Sequence, residues 1–285
     1  MRADDSRLAG AVEAVAGRRP RHVTALPGGC IAQVYKVELE GGGALVAKVA
    51  PDGGLAEEAA MLADLARLSD LPLPAVLHAA DDLLLMDYVE SGAHLGAEAE
   101  AHAAELLAAL HAVSAPACGY GRDTLIGPLR QPNPWTESWV AFFREQRLAY
   151  TGRLALQSGN LPAATMTRLE SFCGKLERHL DEPAAPSLIH GDLWGGNILV
   201  KAGRIAAFVD PAIHYAHAEV ELAFTTLFGT FGQAFFDRYR EHRPIAPGFF
   251  EARRDIYNLY PLLVHTTLFG GHYAASVDGI LRRYG

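Results

Sequence analysis

The octapeptide His190-Gly191-Asp192-Leu193-Trp194-Gly195-Gly196-Asn197 places a carboxylate and, five residues on, a carboxamide in one glycine-rich loop. A second carboxylate, Asp210, follows the first by 18 residues, beyond an apolar stretch that reads as a strand. Phosphoryl transfer requires groups in this order. The first carboxylate accepts the proton of an attacking hydroxyl, while an amide oxygen and the second carboxylate hold a divalent cation on the phosphates. Hard oxygen ligands suit Mg²⁺, which keeps several waters and needs few protein groups. The plainer reading is that Asp192 and Asn197 are turn formers beside Gly195 and Gly196. A lone His-Gly-Asp would carry that meaning; Asn197 and Asp210 at this spacing, between apolar strands, favour the catalytic one.

A lysine upstream fits the same chemistry. Lys48 interrupts the apolar run LVAKVA, where an unpaired ammonium is costly. Glu58 is its expected partner, because it shares a helix face with Leu62 and Leu65, four and seven residues on. Glu57 competes but lies off that face. A paired lysine of this kind aligns the α- and β-phosphates of a nucleotide. The alternative is a lysine snorkelling from an edge strand. Gly28 and Gly29 precede this strand, where backbone N–H groups can approach phosphates, although most Gly-Gly pairs are simple turns.

Other residues admit two readings each. Trp194 either lines the site or packs in the core. His214, Tyr215 and His217 form a scatter that is structural or lines a substrate, without zinc-type spacing. Glu219 and Glu221 lie near the site in sequence. Tyr260, His265 and Phe269 recur at roughly helical intervals, so a core stripe competes with a substrate wall. Cys30 reads as a buried, inert thiol, with redox sensing as the minor alternative.

The elements that position these groups follow from pattern. Strand-like IAQVYKVEL and ALVAKVA flank Gly41-Gly42-Gly43 as a hairpin. GLAEEAAMLADLARLS reads as a helix, and Leu83 to Met86 as a short buried strand. Helical stretches are expected at 96–113, 134–156 and 161–181, two short strands around the Asp192 loop, and helices again from 218. The expectation is an α+β fold with a small β-rich lobe, 1–88, and a larger helical lobe, 89–285. The 285 residues carry a net charge of −8, with half of them hydrophobic and a fifth charged. That composition excludes disorder and fibres, and the acidic balance argues against nucleic acid as partner. Three scattered cysteines suit a reduced cytoplasmic compartment. The N-terminus lacks the apolar core of a signal peptide, and no run is long enough to span a membrane.

HGDLWGGN, GGCIAQVY, VDPAIHYAHAEVELA and ARRDIYNLYPLLVHTTLFGG resemble the fructosamine (ketosamine) kinase family, within the larger aminoglycoside-phosphotransferase-like and protein-kinase-like group. The resemblance runs from about residue 8 to 283. It implies a two-lobed protein-kinase-like fold and an ATP- and Mg-dependent kinase acting on the 3-hydroxyl of a ketosamine, a repair of glycated amines. Asp192 is then the catalytic base, Asn197 and Asp210 the Mg²⁺ ligands, Lys48 and Glu58 the phosphate-aligning pair, and Met86, Asp87 and Tyr88 the hinge that meets adenine. Two departures stand out: Gly195 where the family commonly has Ser, and Glu221 where it commonly has Asp. The rival functions are a kinase of another small acceptor, such as an aminoglycoside or amino alcohol, and an inactive nucleotide-binding module.

Overall fold

A computed structural model describes residues 3–27 and 32–285 of the chain. Gly28, Gly29 and Cys30, singled out above, lie outside the described residues. By its contacts the chain divides into two compact units, one of 1–95 with 196–211, the other of 96–195 with 212–285.

The first unit is built on a sheet. Helix α1 (Ala3–Ala16) precedes strands β1 (Pro20–Ala25), β2 (Gln33–Leu39) and β3 (Ala44–Val49); helix α2 (Leu55–Leu68) and strands β4 (Val76–Ala79) and β5 (Leu83–Asp87) follow. The strands form one antiparallel sheet, ordered β1-β2-β3-β5-β4. β2 and β3 are the expected hairpin, turned through Gly41 to Gly43, all at positive φ, which costs glycine little.

Side chains alternate across a strand, and the alternation sorts the core. Val37, Leu39, Leu45, Ala47, Leu83 and Leu85 pack against Leu8 and Val12 of α1. Leu84 and Met86 take the opposite face, against Leu55, Ala59 and Leu62 of α2. β5 therefore reads as an unbroken apolar run because both faces are covered. Lys48 follows Ala47 and pairs in register with Leu84, so the pleat turns it to the α2 face.

The two consecutive segments expected from sequence, 1–88 and 89–285, differ from this division in two respects: residues 89–95 belong with the first unit, and residues 196–211 return to it. Strands Ile198–Lys201 and Arg204–Phe208 form a hairpin there. Its backbone is held by Phe208 N–H on the Pro72 carbonyl, 2.8 Å, and by the Gly92 and Ala93 N–H groups on the Val200 carbonyl, 3.1 and 3.2 Å. Backbone bonds of this kind leave no periodicity in the sequence to read.

The second unit is mainly helical. Helix α3 (Ala97–Leu110) packs on the helix Gln233–His242. The helical path from Trp139 to Gln157 contains a π-helical turn at Phe143–Ala149. It begins later than expected because Thr136 is tied by backbone bonds to Cys118 and Ser138 caps the helix, accepting the Ala141 N–H. The next helix, Ala163–Cys173, ends at Gly174 rather than continuing to 181. A small hairpin, Thr124–Ile126 with Leu129–Gln131, was not foreseen from sequence. Strand Ser187–Ile189 pairs antiparallel with His214–Ala216. No helix among the described residues is long and apolar enough to cross a membrane.

Candidate active site

Lys48 is the centre of the first unit's polar cluster. It is 5% exposed, and its Nζ bonds Glu58 Oε1 at 2.6 Å and also Asp210 Oδ1. Glu58 lies in the first turn of α2, on the face of Leu62 and Leu65, which are buried. Burial alone would strip the proton from Lys48, but the charges of Asp210 and Glu58 outweigh it and hold the ammonium above its ordinary range. Burial pushes the Glu58 carboxyl up, and nearby Asp210 adds to the effect. One cation against two carboxylates leaves the cluster short of positive charge, as a site receiving a metal–nucleotide would be.

Asp210 adopts the left-handed conformation, φ 56°. Outside glycine this conformation is uncommon, and aspartate tolerates it better than most. The strain buys a sharp turn directly after the strand, with the carboxylate side chain still 43% exposed. Asn197 is buried, and its backbone carbonyl accepts the Val209 N–H at 3.1 Å, which brings the amide within one residue of Asp210. An amide oxygen and a half-exposed carboxylate fit a hard divalent cation.

Met86, Asp87 and Tyr88, the residues expected to form a hinge, lie at the end of β5 and just beyond it. Met86 is buried in the α2-side core. The Asp87 N–H is already bonded to the Ala75 carbonyl, 2.9 Å, so this donor is spent within the fold. The Tyr88 ring is covered by the Lys36 ammonium, 4.6 Å from its centroid.

In the second unit the Asp192 loop is clamped from below. Gly191 has φ 88°, and a Cβ there would lie 2.1 Å from the Ala212 carbonyl oxygen, so only glycine fits. The Ala212 N–H in turn donates to the His190 carbonyl, 2.7 Å. Glu221, buried, accepts the Gly191 N–H on Oε1 at 2.7 Å and the His190 N–H on Oε2 at 3.2 Å. His111 Nε2 meets the same Oε2 at 2.9 Å, and His111 Nδ1 meets the Tyr239 hydroxyl at 2.7 Å. Burial works against the Glu221 charge, but the His111 bond, nearby His190 and the Gly191 N–H outweigh it, holding the carboxyl below its ordinary range. Glu221 thus has a defined loop contact. His111 and Tyr239 are not legible from sequence, because His111 lies 110 positions from Glu221 and 128 from Tyr239, and no local pattern links residues so far apart.

The expected substrate residues part ways. Tyr260 and His214 line a cavity of about 20 Å³ together with Gly191, Arg147, Glu221 and Trp139. The Tyr260 hydroxyl donates to Gln131 Oε1 at 2.7 Å, and burial pushes its pKa up to about 12. Trp194 is half-buried, its N–H donating to the Asp192 carbonyl at 3.2 Å. Glu219 does not offer its carboxylate to a substrate: Arg253 grips it with two bonds of 2.7 Å, both residues being buried. His265 does not line the cavity itself but sits behind its wall: its Nδ1 bonds the carbonyl of Pro261, a lining residue, at 2.8 Å, and its ring packs on Phe228, Phe269 and Tyr273. The sequence stripe of Tyr260, His265 and Phe269 is therefore part cavity wall and part aromatic cluster.

Burial drives the imidazoles of His214, His217 and His265 below their ordinary range. Unfolded, each binds a proton near pH 6.5. The unfolded state then holds more protons as pH falls, so this contribution to stability is complete above about pH 7 and is lost on acidification. For His214 alone the loss is about 1.4 kcal/mol per pH unit below about 6.5, until its folded pKa is reached. Thermal midpoints between pH 7.5 and 5 should fall with a steepening slope. A midpoint flat across that window would contradict neutral burial of these rings.

Comparison with known proteins bears on both units. A profile of the fructosamine kinase family matches residues 8–284. "Probable ketoamine kinase slr1563" of Synechocystis is 40% identical over 181 residues, 62% of this chain and 59% of that protein. "Protein-ribulosamine 3-kinase, chloroplastic" of Arabidopsis thaliana is 32% identical over 206 residues, 70% of this chain and 61% of that protein. Each match thus spans less than two thirds of the relative's own length. The crystal structure of a "putative fructosamine-3-kinase" from Thermobifida fusca has a TM-score of 0.86 and 33% identity, covering 96% of this chain and 97% of that one. Aminoglycoside phosphotransferase APH(4)-Ia, crystallised with AMP-PNP and hygromycin B, has a TM-score of 0.66 over 98% of this chain and 97% of that one; at 16% identity it speaks for the fold alone. A family match that takes in nearly every residue, together with a kinase-like α+β fold, shows that the chain belongs to the fructosamine kinase family.

Proposed function

We propose that this chain is an ATP-dependent kinase that phosphorylates a sugar hydroxyl, the 3-hydroxyl, of a ketosamine such as a fructosamine or ribulosamine. The observation that carries the kinase reading is Lys48, buried and bonded to both Glu58 and Asp210. A lysine so held is a fixed positive charge for the α- and β-phosphates. Asp192 accepts the proton of the acceptor hydroxyl as its oxygen forms a bond to the γ-phosphorus, and the bond to the β–γ bridging oxygen breaks to release ADP. Asn197 and Asp210 would hold Mg²⁺, which when bound neutralises charge on the phosphates. Glu221 keeps the His190–Gly191 backbone in place, so that Asp192 needs no reorganisation when the hydroxyl arrives.

The acceptor class rests on the family and on where the carboxylates go. Aminoglycosides are polycations and call for a ring of free carboxylates. Glu219 is spent on Arg253 and Glu221 on the loop and His111, so neither acid near the site in sequence is left for such a substrate. A mostly neutral sugar with one amine suits what remains. In a screen with ATP and Mg²⁺, kcat/KM for a ribulosamine or fructosamine should exceed that for kanamycin at least about tenfold, or roughly 1.4 kcal/mol of transition-state binding. Equal turnover of kanamycin would overturn the ketosamine assignment and leave the kinase standing.

A further inference from the structure

The π-helical turn Phe143–Ala149 delivers Arg147 into the interior of the second unit, where it is 1% exposed. Its guanidinium donates to the carbonyls of Pro132 and Gln146, at 2.8 and 3.2 Å, and to Asn133 Oδ1 at 2.5 Å. It also lies over the rings of Phe142 and Tyr260, 4.5 and 5.5 Å from their centroids. Among the described residues no carboxylate bonds it, and its Nε is buried without a hydrogen-bond partner. Burial lowers its pKa to about 10, which leaves it charged at neutral pH. Asp123 offsets this charge only from a distance, without a hydrogen bond, and a buried charge with no carboxylate in contact costs several kcal/mol. Single π-turns of this kind recur at functional sites.

The bonds leading away from Arg147 show what the charge could serve. Asn133 donates to Thr124 Oγ1 at 2.8 Å, as does Gln131, while Tyr260 donates to Gln131. Gln131 and Thr124 then donate to the carbonyls of Ala212 and Ile213, at 3.1 and 3.3 Å. Ala212 is the residue that holds the His190 carbonyl and abuts Gly191. Arg147 and Gly191 also line the same cavity. We infer that Arg147 is a positioning residue for the catalytic loop, fixing through Asn133, Thr124 and Gln131 the Ala212 segment on which His190 and Gly191 rest. Only a planar guanidinium can meet three neutral acceptors and two ring faces at once; the three donors of a lysine cannot. The inference rests on the reading of Asp192 as catalytic base.

The test compares wild type with Arg147→Met, Arg147→Lys and Gln131→Met in the full chain. The readouts are thermal midpoint, kcat, KM for ATP and backbone hydrogen exchange of residues 188–194. Arg147→Met leaves the Pro132 carbonyl and Asn133 Oδ1 without this donor, so its midpoint should fall; at a temperature where it is folded it should lose about 10–100-fold in kcat at unchanged KM for ATP, and exchange faster over 188–194 while α3 stays protected. Arg147→Lys should lie closer to the methionine variant than to wild type. Gln131→Met cuts the link to Ala212 with Arg147 in place and should reproduce the loss. Wild-type kcat and exchange in either methionine variant that folds would overturn the inference. An inactive wild type would instead sink the kinase reading, while the exchange data still decide whether Arg147 holds the loop.

Discussion

Asp192→Asn is expected to lower turnover about 10²–10⁴-fold, the range for losing a general base, while ATP affinity stays close to wild type. The barrier then rises by about 3–5 kcal/mol. Asparagine keeps the size and shape of the side chain and removes only the ability to take the proton of the acceptor. The backbone around it is held by groups the substitution does not touch: Glu221 on the His190 and Gly191 N–H groups, and Ala212 on the His190 carbonyl. The loop therefore has reason to keep its form. ADP release in a coupled assay, with ATP affinity from calorimetry, separates the two quantities. Parallel loss of both in a folded variant would mean that Asp192 serves the nucleotide rather than the acceptor.

Glu221→Ala is expected to have the largest effect on stability, about 3–5 kcal/mol, the usual cost of breaking a buried pair. Removing the carboxylate orphans the N–H groups of His190 and Gly191 and one nitrogen of His111, all buried or nearly so. Each orphan costs about 1–3 kcal/mol, and a cavity opens beside them. At about 2–4 °C per kcal/mol for a chain approaching this size, the thermal midpoint should fall by roughly 6–20 °C. Activity should fall further than unfolding alone explains, since the loop carrying Asp192 loses its anchor. Glu221→Asp keeps the charge on a stem one methylene shorter and should lose less of both. Thermal denaturation paired with kcat at a temperature where both variants are folded checks this, and an Ala variant as stable as wild type would show that the loop has another support.

The chemistry proposed for Lys48, Glu58, Asp192, Asn197 and Asp210 comes from the sequence, because reaction and local structure both impose spacing. A base, an amide and a second acid must follow one another across a turn and a strand, and Lys48 must stand out in an apolar run. Strand alternation and helix period then place Lys48 and Glu58 on facing surfaces, and the structure joins them at 2.6 Å. The β2–β3 hairpin and helix α2 were legible for the same reason: their information lies within a few residues.

Only the tertiary structure decided which distant groups consume one another. Glu219 and Glu221, two residues apart on one helix, have opposite fates: one is closed off by Arg253, the other holds the loop with His111 at its back. The return of 196–211 to the first unit depends on backbone bonds to Pro72 and from Gly92 and Ala93. Arg147 looks from sequence like any arginine on a helix, yet it is buried among Pro132, Asn133 and two rings. Periodicity records which face of an element is apolar, whereas a polar side chain's partner is set by where remote segments pack, and no local pattern carries that.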